Sequence, residues 1–267
     1  MAAVAQWQSS WLWSKRRGFD SHRSPPIMQN MDITIIIPAY NEEKEIGACI
    51  DAVKVAGRGH FREIVVVDNA SSDRTGEIAR AHGARVVSQP TKGLTHARQA
   101  GFDATQGTYV SYIDADTHLP PDWFDKAQRI VSEHPNIVAL SGPRRYFGVT
   151  LWRRWILNGM WAPAPVTYRT AGYMILGGNF IARRDAIIKI GGFNQNIEFY
   201  GEDTDLARRL SKVGKVLFRM DFYVYASARR FEEEGIVKPN LVYALNFLWP
   251  AVFGRPYTSE YKDVRDT

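Results

Sequence analysis

Residues 33–43 read ITIIIPAYNEE, and residues 63–73 read EIVVVDNASSD. Each is an unbroken run of mostly β-branched apolar residues that gives way at once to a polar turn. A strand with one wet face alternates apolar and polar side chains. A run without alternation suits a strand buried on both faces, as in a parallel sheet. Pro38 is expected to end the first strand, and Asn41 to cap a helix reaching about Ala56, with Ile46, Cys49, Ile50 and Val53 on one face. The second run passes through the turn 68–72 into a helix opening near Asp73. The pattern then repeats outward: a short strand at 85–87, a helix over 91–105, a strand at 109–113, a helix after Pro120 and Pro121 carrying Trp123, Phe124 and Ile130, and a strand at 137–140. Beyond these, 177–182 reads as a strand, 185–190 as a short helix and 202–213 as a longer one. Strands alternating with helices predict βαβ crossovers and a mostly parallel sheet, hence an α/β fold.

In such sheets ligands bind outside the carboxyl ends of the strands. The acidic residues gather there. Asp68 follows the second strand; Asp114 and Asp116 follow TYVSYI. Two carboxylates at i and i+2 leaving a strand offer hard oxygen ligands to Mg²⁺ or Mn²⁺, which keep waters and bind substrate phosphates. A solvated acidic turn is the plain alternative for Asp114-Ala115-Asp116 alone; three acids on one sheet edge favour a binding site. Glu202, Asp203 and Asp205 open a helix. One acid there answers the helix dipole, but three within four residues exceed what capping needs, and a carboxylate near an acceptor can serve as general base.

The chain has 267 residues and a net charge of +6, with 45% hydrophobic and 23% charged residues, an ordinary globular balance. Half of the excess charge sits in residues 1–30, where Lys15, Arg16, Arg17 and Arg23 face only Asp20, so the basic pI does not argue for nucleic acid as a partner. That stretch has no apolar h-region of a signal peptide. It reads either as a presequence or as an upstream extension of the reading frame, with Met28 or Met31 as start, and is expected to be disordered. The single cysteine excludes an intramolecular disulfide and fits a reducing compartment; Cys49 lies in an apolar helical pattern and reads as packing. A cytoplasmic location, at most at the inner face of a membrane, is expected.

Residues 141–170 carry five arginines and no acid, interleaved with Trp152, Trp155 and Trp161. If 151–158 is helical, Leu151, Trp152, Trp155 and Ile156 share a face. That face either packs on the sheet or lies in a lipid interface. The run 241–253 has the same two readings and is too short to span a bilayer. Arg229 and Arg230 read as a diphosphate clamp or as a solvated basic turn.

Six segments, ITIIIPAYNEEKEI, EIVVVDNASSDRT, KGLTHARQAG, GTYVSYIDADTHLPPDW, GGNFIARRDAIIKIGGF and YGEDTDLARRL, resemble in order the motifs of the family 2 glycosyltransferases of the GT-A fold, over about residues 32–220. The resemblance implies a Rossmann-like GT-A domain over 31–220, with 221–267 as a C-terminal helical extension. It implies that Pro38, Ala39, Tyr40 and Glu42 line a nucleoside pocket, that Asp68 bonds the base, usually uracil, and that Lys92, Gly93 and Arg98 close the nucleotide site. Asp114 would meet the ribose or the metal's water shell, and Asp116 a divalent metal, Mn²⁺ or Mg²⁺, at the diphosphate. Gly177, Gly178 and Asn179 would border the donor sugar and acceptor. Asp203 would be the base, with Glu202 orienting it and Asp205 as the competing candidate. The Q-x-x-R-W signature of processive members is absent, which points to single addition, with inversion, onto a glycan or lipid-linked acceptor. A retaining transferase or a catalytically silent nucleotide-binding scaffold would share the nucleotide motifs.

Overall fold

The computed structural model describes residues 31–197 and 201–228. Within them, β1 (Ile33–Ala39), β2 (Glu63–Asp68), β3 (Arg85–Ser88), β4 (Tyr109–Ile113), β6 (Ile137–Ser141), β8 (Asn179–Arg183) and β9 (Lys215–Phe218) form one sheet in the order β3-β2-β1-β4-β8-β6-β9. All are parallel except β8, which runs against both β4 and β6. A smaller sheet joins β5 (Thr117–His118), β10 (Val224–Ser227) and β7 (Arg144–Phe147).

The sheet separates two apolar cores. Alternate side chains of β1 go to opposite sides, as the two-residue strand period requires. Ile33, Ile35 and Ile37 pack with Cys49, Ile50 and Val53 of α1 (Ile46–Gly57) and with Trp123 and Phe124 of α4 (Trp123–Glu133). Ile36 joins Ala97 and Phe102 of α3 (Leu94–Asp103), Ile187 of α7 (Arg184–Lys189) and Leu206 and Leu210 of α8 (Glu202–Ser211) on the other side. Burying each such Ile or Leu is worth about 1.5–3 kcal/mol. The remaining helices are α2 (Thr75–Ala81), α5 (Leu151–Gly159) and α6 (Ala164–Ala171).

Several boundaries differ from the sequence expectation. Pro38 does not end β1: the strand continues to Ala39, paired only with β2, because the register with β4 stops at Ile36. Beyond that point β1 has a free side, where a residue lacking an N–H costs no ladder bond. Asn41 does not cap α1. It is left-handed (φ 50°), and its Oδ1 accepts from the Ser72 N–H at 2.9 Å, while the helix opens five residues later at Ile46. The turns after β1 and β2 are thus tied together, a bond reinforced by the Glu42 N–H on Thr75 Oγ1 (2.8 Å) and the Glu43 N–H on Asp73 Oδ2 (3.0 Å). Residues 224–227, expected in a helical extension, are strand β10. The expectations for 1–30, Arg229, Arg230 and 241–253 lie outside the described residues.

Candidate active site

The strand order turns round at β1. The chain moves outward through β2 and β3, then returns to place β4 on the other side. This is a topological switch point, and the crevice beyond the carboxyl ends of β1 and β4 is where open α/β sheets bind ligands.

One wall of the crevice is built by Tyr40, Asp68 and the segment 91–93. Ala39 and Asp68 are register partners, and Tyr40 follows directly on Ala39. Asp68 Oδ1 accepts the Ser71 N–H (3.1 Å), and a Cβ at Gly76 would lie 2.7 Å from Oδ2, so only a glycine lets α2 approach this carboxylate. Asn69 shapes the next turn: its Nδ2 donates to the carbonyls of Gln89 (3.0 Å) and Thr91 (2.7 Å), and its Oδ1 accepts the Gly93 N–H (2.8 Å). Gly93 precedes α3 with φ 149°, where a side chain would strain the backbone. The loop so held sets Lys92 Nζ over the Tyr40 ring, 3.8 Å from its centre. A cation and an aromatic face at a helix N-terminus can receive a base and a phosphate. Glu42 is almost wholly buried at the same turn.

The floor is a charged cluster. Asp114 leaves β4 with the turn closed by the Thr117 N–H on its carbonyl (3.0 Å), and Asp116 is pinned through its own carbonyl by the Ser227 N–H (3.1 Å). Arg144, the first residue of β7, pairs with Asp114 Oδ2. Arg98, fully buried on α3, has Nη2 4.0 Å from Asp114 Oδ1 and pairs through Nη1 with Glu202. The guanidinium is roofed by Tyr112 and Phe180, each 5.9 Å from its centre. Gly177 and Gly178 leave the space in which these groups meet. A Cβ at 177 would sit 2.6 Å from Arg98 Nη2 and 2.8 Å from Glu202 Oε1; one at 178 would overlap the Asp114 carboxylate and lie 2.7 Å from Arg144 Nη2.

Above the floor stands the N-terminus of α8. Gly201 precedes it with φ 82°. Asp203 Oδ1 accepts the Thr204 N–H at 2.8 Å. Burial pushes the Asp203 carboxyl above its ordinary value, and the pull of Arg98, the Thr204 N–H, Arg144 and the Gly177 N–H only partly offsets it. Glu202 is pushed up to about 7, by burial first and against the attraction of Arg98. Asp205 has a different task. Its Oδ2 accepts from Arg209 Nε (2.7 Å), and Arg209 goes on to the carbonyls of Ile190 (3.0 Å) and Gly192 (2.6 Å). That carboxylate is part of the joint between α8 and the end of α7.

The resemblance implies that Asn179 borders the donor sugar and acceptor; in the structure its side chain is turned into the core. It is fully buried, with Nδ2 donating to the carbonyls of Gly142 (3.1 Å) and Phe222 (2.8 Å) and Oδ1 accepting from Trp123 Nε1 (3.3 Å). It joins the two sheets from within. Arg144 is the site residue that sequence reading passed over. It stood among five arginines in an acid-free stretch, and only the pairing of β7 with β10 (Arg144 opposite Val224) sets it beside Asp114.

Among the described residues no group of three or more His, Cys, Asp or Glu side chains could hold a metal ion. A magnesium-like ion needs no such cage, since it commonly takes one or two carboxylates and completes its shell with substrate phosphate and water. Asp116 fits that demand as a half-buried hard oxygen donor two residues beyond Asp114. Asp114 is already engaged by Arg144 and stands near Arg98.

A sheet of this order, with acids gathered at its switch point, is the architecture of the GT-A fold. The chain belongs to glycosyl transferase family 2, whose model matches residues 34–191, and the N-terminal domain of galactosyltransferase matches residues 160–233. It is 35% identical over 106 residues to the uncharacterized glycosyltransferase EpsJ of Bacillus subtilis, covering 38% of this chain and 30% of that protein's length. The fold superposes on the mannosyltransferase PcManGT of Pyrobaculum calidifontis in complex with GDP-Man and Mn²⁺, with a TM-score of 0.65 at 19% identity over 94% of this chain and 72% of that one. It also superposes on glucosyl-3-phosphoglycerate synthase of Mycobacterium tuberculosis in complex with Mn²⁺, UDP-glucose and phosphoglyceric acid, with a TM-score of 0.57 at 22% identity over 86% and 85% of the two chains.

Proposed function

We propose that this chain transfers one sugar from a nucleotide-sugar, UDP-linked, to a hydroxyl of a glycan or lipid-linked acceptor, in a single step that inverts the anomeric carbon. The observation that carries the reading is Asp203. It is the acid of α8 that opens toward Arg144 and the Gly177 N–H on the edge where Asp114 stands, while Asp205 is committed to Arg209.

In this reading Tyr40, Asp68, Lys92 and Gly93 hold the nucleoside and its first phosphate. Asp114 and Arg144 form a pair that parts when the diphosphate arrives, the arginine taking phosphate oxygens and the carboxylate the ribose. A divalent metal held by Asp116 would offset the charge of the leaving diphosphate. Asp203 accepts the proton of the acceptor hydroxyl as that oxygen bonds to the anomeric carbon and the nucleoside diphosphate departs with the electrons of the broken bond. A carboxyl raised by burial is a better proton acceptor than a free one, and such bases contribute about 10²–10⁴-fold. Glu202 and Arg98, locked together below, hold the helix end in place. Mn²⁺ in two solved relatives of the fold supports the metal; GDP-Man in one and UDP-glucose in the other leave the base to be read by the Asp68 pocket.

The test is nucleoside-diphosphate release from UDP-, GDP- and dTDP-sugars with Mn²⁺ or with a chelator, on wild type and Asp116→Asn. The expected result is release from a UDP-sugar that the chelator abolishes, with metal-dependent nucleotide binding weakened in the variant. Metal-independent release, or equal nucleotide binding by the variant, would overturn the metal assignment. A product of retained configuration would overturn the single displacement.

A further inference from the structure

In α5 the usual relation between pattern and burial is reversed. Leu151, Trp152, Trp155 and Ile156 lie within one arc of the helix, and they are 65%, 58%, 78% and 47% exposed. The one buried side chain of the helix is Leu157, on the opposite side, packed with Tyr146, Val149 and Ala228. Met160, just past the last turn, continues the open arc and is also exposed. A surface helix of a globular protein turns its apolar stripe inward. Here the stripe is turned out, and it carries two tryptophans.

The charges around the stripe all have one sign. Arg153 and Arg154 flank it on the helix, with Arg153 5.3 Å from the Trp152 ring centre, and Arg169 follows on α6. No acid occurs anywhere from residue 134 to residue 184. Among the described residues no carboxylate pairs with Arg153, Arg154 or Arg169. Two copies of the chain meeting through this face would set arginine against arginine with no acid to separate them, which is unfavourable. A surface that offers an apolar interior beneath a negative layer matches both features at once. Tryptophan rests at such a boundary with its ring in the apolar part and its N–H in the wet part, and arginine reaches the charged layer from the same depth.

We propose that the outward face of α5 docks the protein onto a membrane surface rich in anionic phospholipid. Among the described residues no helix is long and apolar enough to cross a membrane. The face is tied to the active site by one strand. β7 starts at Arg144, against Asp114, and after the 148–150 turn it leads into α5, so about 13 Å of strand separates the site floor from the docking helix. An acceptor hydroxyl presented at a lipid surface would reach the crevice from this side.

The experiment is flotation of the full chain with vesicles of phosphatidylcholine alone or mixed equally with phosphatidylglycerol, at low and at physiological salt, without any donor sugar. Wild type is expected to float with the mixed vesicles. The double variant Trp152→Ser/Trp155→Ser should bind roughly tenfold less or weaker. Arg153→Gln and Arg154→Gln should each lower binding about fivefold at low salt. Ile188→Ser, an exposed apolar side chain on α7, serves as control and should leave binding unchanged. Four of the five positions are exposed and Arg153 is half-buried, so the melting temperature checks that folding is intact. Three results would overturn the proposal: wild type that stays unbound at low salt, a double tryptophan variant that floats like wild type, or a lipid-free dimer that the tryptophan substitutions dissolve. Because no donor is present, none of these bears on whether the chain is a transferase.

Discussion

Replacing Gly178 by alanine tests the floor of the site with a single methyl group. Gly178 has no positive φ, so alanine meets no backbone strain there; the difficulty is space. The new Cβ would overlap Asp114 Oδ2 and lie 2.7 Å from Arg144 Nη2. Restoring ordinary separations of about 3.5 Å moves that carboxylate and guanidinium by roughly 1 Å. Both side chains are partly exposed at the crevice, so they have somewhere to go, and the cost to folding should stay near the low end of the roughly 1–3 kcal/mol typical of overpacking. The cost to the reaction is larger. A misplacement of about 1 Å at a positioning group lowers rates by about 10²-fold, or about 2.7 kcal/mol. The assay is kcat/KM for nucleoside-diphosphate release beside a thermal melt, with Gly159→Ala as companion because a Cβ there meets nothing within 4 Å. A folded Gly178→Ala protein within threefold of wild type would refute the placement of Asp114 and Arg144 at the reacting diphosphate.

Other outcomes follow from the same geometry. Asp203→Asn should lower kcat by about 10²–10⁴-fold with donor binding nearly unchanged, whereas Asp205→Asn should lower the melting temperature by loosening Arg209 and leave kcat within a few-fold; the reverse pattern would exchange their roles. The base must be ionised and burial raises its value, so kcat/KM should fall on the acid side at a pH above the ordinary 3.8 of an aspartate, read from a pH–rate profile. Glu202 holds its proton to about pH 7 in the folded chain, against 4.5 ordinarily. The folded state therefore binds more protons across that window, and wild type should lose stability relative to Glu202→Gln as pH rises through it, by about 3 kcal/mol at most, and no further above it. Asn179→Ala strips partners from two buried carbonyls and one indole N–H and should cost on the order of 3 kcal/mol, measured by denaturant unfolding.

The parts of the fold that were legible in the sequence are those decided locally. β1, β2 and β4 could be read because burial on both faces removes the polar alternation, and Asp68, Asp114 and Asp116 because a strand's end announces itself where the apolar run stops. The small sheet was not legible. Its strands are two to four residues long, too short for a period, and β7 finds β10 across some eighty residues of chain. Arg144 was hidden for the same reason. Asn179 differs in the opposite direction: the resemblance set it at the border of donor sugar and acceptor, yet its amide is used up in the core. Pro38 misled because β1 outruns its pairing with β4, and Asn41 because the turn after β1 is settled by the neighbouring turn after β2, a partner some thirty residues away.

Cys49 lies in the core behind this crevice. It is the chain's single thiol, without measurable exposure, and its Sγ–H donates to the Asp114 carbonyl at 3.6 Å. Burial pushes its ionisation well above the ordinary range, so the sulfur is neither reachable nor nucleophilic while α1 stays seated on β1. Alkylating reagents should leave the intact enzyme active for long periods and then consume it only as fast as that helix lifts away. The chain thereby carries its own clock: the rate of thiol labelling counts openings of the core behind Asp114, and a bound donor that steadies the crevice should slow it.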